Sequence, residues 1–376
     1  YMGSPYKTVA FQTLGCKLNF AETSTLARDF ISKGYAQVDN NETADLYIIN
    51  TCSVTDNANK RARKAVRRAL RKSPQVKIAI IGCYAQLNPN EIAQIPGVSM
   101  VVGAKEKMNL ASQIEDQVLN GSPIIINSDI NTKLDFRPSY SCGERTRSFL
   151  KIQDGCNYNC SFCTIPLARG KSRSSNISAT LAQAYEIART EVREIVLTGV
   201  NIGDFGKSHN QSFIKLIKQL DDVEGIDRYR ISSIEPNLIT DEIIEFTASS
   251  KKFLPHFHIP LQSGSDEILK TMRRRYKTKL YSERIKKIQS FMPHACLGAD
   301  VIVGFPGESD DHFKETYDFL NALDILYLHV FSYSMRDNTE AVKIKDKIPH
   351  DIISKRSKML HYLSMVKRRK FYNKII

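Results

Sequence analysis

No apolar run in this 376-residue chain approaches the roughly 20 residues that cross a bilayer. Its first residues hold no basic-then-apolar leader, so neither a membrane span nor a secretory signal is expected. Cysteine is sparse: eight in a chain of this length are too few for a disulfide scaffold. Acidic residues fall short of basic ones, 40 against 54, which leaves a net charge of +14 and a pI near 9.3. That surplus points to a polyanionic partner, nucleic acid or an anionic membrane surface. With 42% apolar and 25% charged residues, disorder is excluded and core-forming material is ample. The expectation is a cytoplasmic protein whose thiols are kept reduced for metal, with Tyr1 to Ser4 outside the fold.

Three of the cysteines stand in Cys156-Asn-Tyr-Asn-Cys160-Ser-Phe-Cys163, just after the strand-like run Phe149 to Ile152. The spacing fits three thiolates at the corners of a 4Fe-4S cube, and with no fourth close by one iron stays open to a non-protein ligand. An open iron is a reaction site. A zinc knuckle or a disulfide pair is the alternative, but zinc loops usually add a second cysteine pair or histidines, and none is placed here. The motif resembles that of the radical S-adenosylmethionine enzymes. The resemblance implies that Cys156, Cys160 and Cys163 are catalytic cluster ligands, and that S-adenosylmethionine is the ligand of the open iron. One electron from the cluster would cleave it to a 5'-deoxyadenosyl radical that takes hydrogen from a C–H bond.

The length suggests two domains. Over residues 5–120 the runs Val9 to Leu14, Leu46 to Ile49, Val76 to Ile81 and Ser99 to Val102 alternate with helix-length segments, which predicts a doubly wound parallel α/β sheet. Cys16, Cys52 and Cys83 each follow one of the first three runs. Ligands of such sheets bind beyond the carboxyl ends of the strands, so three equivalent junctions would aim three thiolates at one point. Small core thiols are the alternative. Equivalent placement favours a second 4Fe-4S cluster.

Between Cys52 and Cys83, a run headed by Lys60, Arg61, Arg63, Lys64, Arg67 and Arg68 has eight basic residues in the thirteen from Lys60 to Lys72, and no acidic one. Ala62, Ala65, Val66, Ala69 and Leu70 keep helical spacing, with Thr55 or Asp56 placed to cap the start. A solvated face is the usual meaning of charge, but an uncompensated run of one sign suits phosphates.

Residues 121–147 lose periodicity and read as a linker, with Cys142 an ordinary thiol. From 148 to 350 a βα rhythm recurs six times, with strands near 149–153, 194–198, 228–233, 256–260, 297–303 and 327–332. Six units predict a partial (β/α)6 barrel with its site at the carboxyl ends of the strands. The helix expected over 265–291 is one continuous segment; a basic amphipathic helix fills 351–376.

Candidates to hold S-adenosylmethionine follow those strand ends: Thr198 and Gly199, Glu235, then Gln262 and Ser263, and in the fifth Asp300, Ile302, Gly304 and Phe305. The fifth segment resembles the superfamily stretch that packs on the adenine, through Ile302, Gly304 and Phe305. Arg169, Lys171 and Arg173, just past the cluster loop, and Arg274 and Arg275 beside Tyr276 suit an RNA substrate with splayed bases. His256 and His258 read as wall or core residues, and Cys296 as core.

Thr13-Leu-Gly-Cys-Lys-Leu-Asn19 with Glu22, Asn50-Thr-Cys-Ser-Val-Thr55 and Gly82-Cys-Tyr-Ala-Gln86 resemble the N-terminal domain of the methylthiotransferases, and the resemblance covers almost the whole chain. It implies two 4Fe-4S clusters and S-adenosylmethionine as cofactors. It also implies a tRNA anticodon loop as partner, with an electron donor of flavodoxin or ferredoxin type, a sulfur donor, a monomeric enzyme and no membrane. Lys151-Ile-Gln-Asp-Gly-Cys156 and Ile165-Pro-Leu-Ala-Arg-Gly170 look most like the branch acting on threonylcarbamoyladenosine in tRNA, at carbon 2 of the adenine beside the anticodon. The isopentenyladenosine branch is the rival; the ribosomal-protein branch suits a +14 chain less, because a basic tail would be repelled. A non-catalytic iron–sulfur or zinc module that binds RNA is the alternative of another class. Family members usually continue into an RNA-binding TRAM module, which is expected to be missing here.

Overall fold

Six short strands built largely from valine, isoleucine and leucine carry the first part of the chain. The structure, a computed structural model, describes residues 8–53, 56–115, 121–130, 132, 135–143 and 146–375. Thr55 and Tyr1 to Ser4 lie outside the described residues, as does the Asp56 side chain. Contacts group the chain into two units, one running to Asn157 and including Thr164–Ser175, the other made of Tyr158–Cys163 and everything from Asn176 on.

The first unit runs β1 (Thr8–Thr13), α1 (Lys17–Ser32), β2 (Ala36–Val38), β3 (Leu46–Thr51), α2 (Asp56–Lys72), β4 (Lys77–Gly82) and α3 (Cys83–Leu87). It continues through α4 (Pro89–Ala93), β5 (Val98–Val102), α5 (Leu110–Glu115) and β6 (Ile124–Ile126). The strands form one parallel sheet in the order β2-β1-β3-β4-β5-β6. β3 is buried along its whole length, which is why its sequence reads as an unbroken apolar run rather than an alternating one. Helices cover both faces. Ala62, Ala65, Val66 and Ala69 of α2 pack on one side with Tyr47, Ile49 and Ile80, and Leu26 and Phe30 of α1 with Ile114 of α5 pack on the other. The order of strands reverses between β1 and β3, and at such a switch point doubly wound sheets bind ligands.

Strands β2 and β6 are additions to the expected four. Each has only three residues, none of them buried, so neither carries a periodic signal. The end of the 121–147 stretch is packed: β7 (Ser139–Tyr140) pairs antiparallel with β8 (Arg147–Lys151), and both lie against α1. Thr25 donates to the Tyr140 carbonyl at 3.3 Å, Arg28 stacks 4.2 Å from the Tyr140 ring centre, and Phe20 meets Phe149 edge to face at 5.6 Å. Contacts group β8 with the first unit. β9 (Gln153–Asp154), α6 (Ile165–Arg169) and β10 (Arg173–Ser174) complete it.

The second unit alternates α7 (Ile177–Ala188), β11 (Glu194–Thr198), α8 (Phe213–Asp221), β12 (Arg228–Ile231), α9 (Asp241–Ser249) and β13 (His256–His258). α10 (Asp266–Thr271), α11 (Thr278–Phe291), β14 (Cys296–Val303), α12 (Asp310–Ala322), β15 (Tyr327–Ser332) and α13 (His350–Ile375) follow. β11 and β12 pair in parallel, β13, β14 and β15 likewise, and a bridge from Ser233 to His258 joins the series. Asn176, Ser212 and Thr240 cap α7, α8 and α9 through their side chains, and at α12 Ser309 and His312 make a reciprocal capping box. The terminal helix packs on β15 through the buried Leu360 and Leu363, while Lys367 donates to the Leu323 carbonyl at 2.6 Å.

The continuous helix expected over 265–291 is two helices. Arg273 takes a left-handed φ of 58°, which no helix interior sustains, and the chain breaks between Met272 and Lys277. The break is used: Ser161 of the cysteine loop donates its N–H to the Met272 carbonyl at 3.1 Å and its hydroxyl to the Thr271 carbonyl at 2.9 Å.

Candidate functional site

Cys16, Cys52 and Cys83 stand just past the carboxyl ends of β1, β3 and β4. The turns draw the first two together. Gly15 has φ +123°, and a Cβ added there would stand 2.7 Å from the Cβ of Cys52. Gly82, at φ +99°, passes so close to Asn50 and Thr51 that a side chain would meet the Asn50 amide oxygen at 2.5 Å. Buried Asn19 fastens the two strand ends, donating to the carbonyls of Leu14 and Thr51 at 3.0 Å each. The third thiol follows on the neighbouring strand, where Gly82, just before Cys83, pairs in register with Thr51, just before Cys52. Three thiols at one switch point, on turns too tight for a side chain, are a donor set that fits an iron–sulfur cube with one corner left open.

Beside Cys16 opens a cleft of about 650 Å³ lined by Lys17, Arg61 and Arg147 together with Phe11, Phe20 and Phe149. Cations alternating with aromatic rings suit a nucleotide.

In the cysteine loop, Cys156 donates its N–H to the Gly170 carbonyl at 3.0 Å, and Cys163 to the Cys160 carbonyl at 3.1 Å. Arg274, at the break before α11, donates to the Cys160 sulfur at 3.1 Å and ion-pairs with Glu235. Its side chain is 4% exposed. Burial disfavours its charge, but Tyr276, Glu235 and the Cys160 thiol hold it well above the usual guanidinium range. Burial raises the Cys160 thiol, with Arg274 pulling the other way. A guanidinium N–H on sulfur stabilises the thiolate and tunes any cluster it ligates. Arg274 and Glu235 therefore act on the cluster loop and on each other. This corrects the reading of Arg274 as an RNA contact, and Glu235 is not a free acceptor.

The remaining strand-end residues divide. Thr198 is buried at the end of β11 and Gly199 half-buried after it. Gln262 adopts φ 70°, donating its N–H to the Asp300 carbonyl at 2.8 Å and accepting from Ile302 at 2.9 Å. Ile302 stays half-buried and Gly304 is buried. Ser263 is buried against Thr316, 3.2 Å between hydroxyls, and Phe305 is sealed between Phe162 and Tyr333. Both support the turns from behind. Asp300 meets His258 at 2.9 Å and His329 at 3.2 Å. Burial raises its carboxyl, but the two histidines outweigh this and bring it down to about 2. The three ligating atoms lie within 4.8 Å of one another, a spacing that can hold a divalent ion, and Ser233 orients His258 through Nδ1 at 2.7 Å.

Glu308 and Arg356 carry no sequence motif in the reading above. Glu308 accepts the Gly304 N–H, and Arg356 of α13 contacts it at 3.1 Å. Burial pushes the Glu308 carboxyl up to about 7 against the pull of Gly304 and Arg356.

The α2 cations Lys60, Arg61, Arg63, Lys64, Arg67 and Arg68 are exposed, as are Lys171 and Arg275. Arg63 pairs with Glu91 at 2.5 Å and Arg275 lies 3.9 Å from the Tyr158 ring centre. Arg169 and Arg173 depart from the expectation of surface RNA contacts: Arg169 is 2% exposed and ion-paired to Glu22 and Asp154, and Arg173 is turned onto Asp154 at 3.1 Å.

Two thiol triads, one ending a doubly wound sheet and one preceding a run of parallel βα units, define a two-cluster radical S-adenosylmethionine protein. The family description "Uncharacterized protein family UPF0004" matches residues 8–103, and "Radical SAM superfamily" matches 150–320. The chain is 43% identical over 364 residues to the threonylcarbamoyladenosine tRNA methylthiotransferase MtaB of Bacillus subtilis, covering 95% of this chain and 80% of that protein. It is 39% identical to MtaB of Aquifex aeolicus, covering 97% and 90%. The tRNA-2-methylthio-N(6)-dimethylallyladenosine synthase of Endomicrobium trichonymphae is 32% identical, covering 90% and 79%. This chain belongs to the radical S-adenosylmethionine methylthiotransferase family. Among solved structures, the radical S-adenosylmethionine methyltransferase TsrM of Kitasatospora setae shares the fold, with a TM-score of 0.64 at 12% identity over 89% of this chain and 77% of that one.

Proposed function

We propose that the protein is a tRNA methylthiotransferase that replaces the hydrogen on carbon 2 of N6-threonylcarbamoyladenosine, beside the anticodon, with a methylthio group. The observation that carries this is the second thiol triad, Cys16, Cys52 and Cys83, at the switch point of the first unit. A single cluster suffices to cleave S-adenosylmethionine; a second open iron gives sulfur a place to be held. The threonylcarbamoyl substrate is supported by the names of the relatives at 35–43% identity, against 30–32% for those named for dimethylallyladenosine.

Cys156, Cys160 and Cys163 would hold one cluster and the other three thiols the second. When bound, the clusters and S-adenosylmethionine supply one-electron C–H cleavage and a carrier for sulfur. The chain's own part is positional. Arg274 fixes the Cys160 sulfur, Glu308 holds the Gly304 turn, and Thr198, Gly199, Gln262, Asp300 and Ile302 offer polar and apolar groups to the cofactor. Exposed cations of α2, with Lys171 and Arg275, would grip the phosphates of the anticodon loop. The cleft beside Cys16 would take a flanking nucleotide. An electron donor of flavodoxin or ferredoxin type and a sulfur donor complete the reaction in the cytoplasm, with the enzyme a monomer.

Nucleoside analysis of tRNA from a strain lacking the gene tests the substrate. The methylthio form of threonylcarbamoyladenosine should vanish and return with the gene; loss of the isopentenyl derivative instead would reassign the branch.

A further inference from the structure

The first unit buries a group of charged side chains that the reaction scheme above does not use. Lys107 contacts Glu22 at 2.5 Å; Lys151 contacts Glu22 at 2.9 Å and Asp154 at 2.7 Å; Arg169 contacts Glu22 at 3.1 Å and Asp154 at 3.0 Å. Arg173 closes the group on Asp154 at 3.1 Å. Lys107, Lys151 and Arg169 are no more than 3% exposed along their side chains. Three buried cations face two carboxylates, a surplus of one positive charge among the buried members, with Arg173 at the rim 16% exposed. Burying an uncompensated charge costs several kcal/mol, and burial lowers the Lys107 ammonium, so an anion next to the group would favour its charged form.

The neighbouring groups say which anion. Arg169 donates to Asn19 Oδ1 at 2.6 Å, and that oxygen lies 3.9 Å from the Cys16 sulfur. Asn19 is the residue that fastens the strand ends leading into Cys16 and Cys52. α6, which ends at Arg169, packs on α3, which begins at Cys83. Lys107 joins Arg169 through the Glu22 carboxylate that both contact. A cube held by three thiolates is anionic and becomes more so on reduction, and nearby charge is one of the protein's controls on its potential.

We propose that Arg169 and Lys107 are the buried counter-charge of the iron–sulfur cluster on Cys16, Cys52 and Cys83, positioning residues that raise its reduction potential and its retention. The inference rests on the cluster assignment made above. Arg169 lies six residues beyond Cys163, so the segment that follows one thiol triad supplies the counter-charge of the other.

The test is an EPR-monitored redox titration of the full-length, anaerobically reconstituted chain carrying C160A, so that the N-terminal cluster is read alone. R169Q should shift the equilibrium toward the oxidised cluster about tenfold, roughly 59 mV for a one-electron couple. K107Q should shift it in the same direction, R169K should stay near the parent, and the exposed control K279Q should not move it. Should R169Q and K107Q shed this cluster while R169K keeps it, with unchanged circular dichroism, the counter-charge role is supported through retention. Unshifted potentials in R169Q and K107Q, or equal shifts in R169Q and R169K, overturn it. Roughly four irons in a reconstituted chain with all its cysteines, instead of about eight, would sink the cluster assignment itself.

Discussion

Glu308 is a buried carboxylate at a turn the cofactor is expected to touch, and its protonation shows how one side chain couples that turn to pH. Its folded pKa rises from 4.5 to about 7, so the folded state holds a proton that the unfolded chain has released. Where the folded state binds more protons, stability falls as pH rises. The contribution is present in full below about pH 4.5 and is lost as pH climbs through about 7, a change of about 3 kcal/mol at this one site. E308Q cannot titrate. The thermal midpoint of the variant should be flatter across that window than the parent's, which should decline; parallel curves would mean that Glu308 is already ionised at the lower end. Neither Glu308 nor the Arg274–Cys160 contact was legible in the sequence, and the reason is chain separation. Arg274 lies 114 residues from Cys160 and Arg169 lies 147 from Glu22, so a run such as Arg-Arg-Arg-Tyr reads equally well as surface charge until the fold buries one of its members.

Among the elements, α2 and the α10–α11 pair show what periodicity can and cannot reveal. In α2 the apolar residues recur on one face and the basic ones cover the rest, so both the helix and its exposed cations were legible. Over 265–291 the apolar spacing runs on across a break, because Met272 and Tyr276 are themselves buried and keep the pattern alive while the backbone turns at Arg273. For α2 the consequence is measurable. If its exposed face meets phosphates, log affinity for tRNA falls with log salt, and each contact removed makes that slope shallower by roughly 0.7 to 0.9. R67Q combined with R68Q should therefore weaken tRNA binding at low salt and flatten the slope by about two such steps, while S-adenosylmethionine cleavage without tRNA is unchanged. An unaltered slope would assign α2 to solvent.

At the scale of the whole molecule, the two thiol triads belong to different parts of the sequence and can be removed one at a time. Cys16, Cys52 and Cys83 come from three βα junctions of one sheet, whereas Cys156, Cys160 and Cys163 come from a single loop. The loop was legible because its spacing is local. The sheet triad was legible only through the repeated strand-then-cysteine pattern, and the turns that bring it together, at Gly15 and Gly82, needed the structure. If cleavage of S-adenosylmethionine belongs to the loop and sulfur handling to the sheet, C160A should abolish deoxyadenosine formation. C52A should form deoxyadenosine from S-adenosylmethionine yet leave tRNA without its methylthio group. Iron should fall from about eight to about four per chain in either variant that loses a cluster outright. The decisive arm is C52A, because a protein that needed its sheet triad only for folding would lose both activities together. Retained deoxyadenosine formation with no methylthio product separates the two roles; restored product on adding sulfide to C52A would show that the sheet triad does not hold the sulfur.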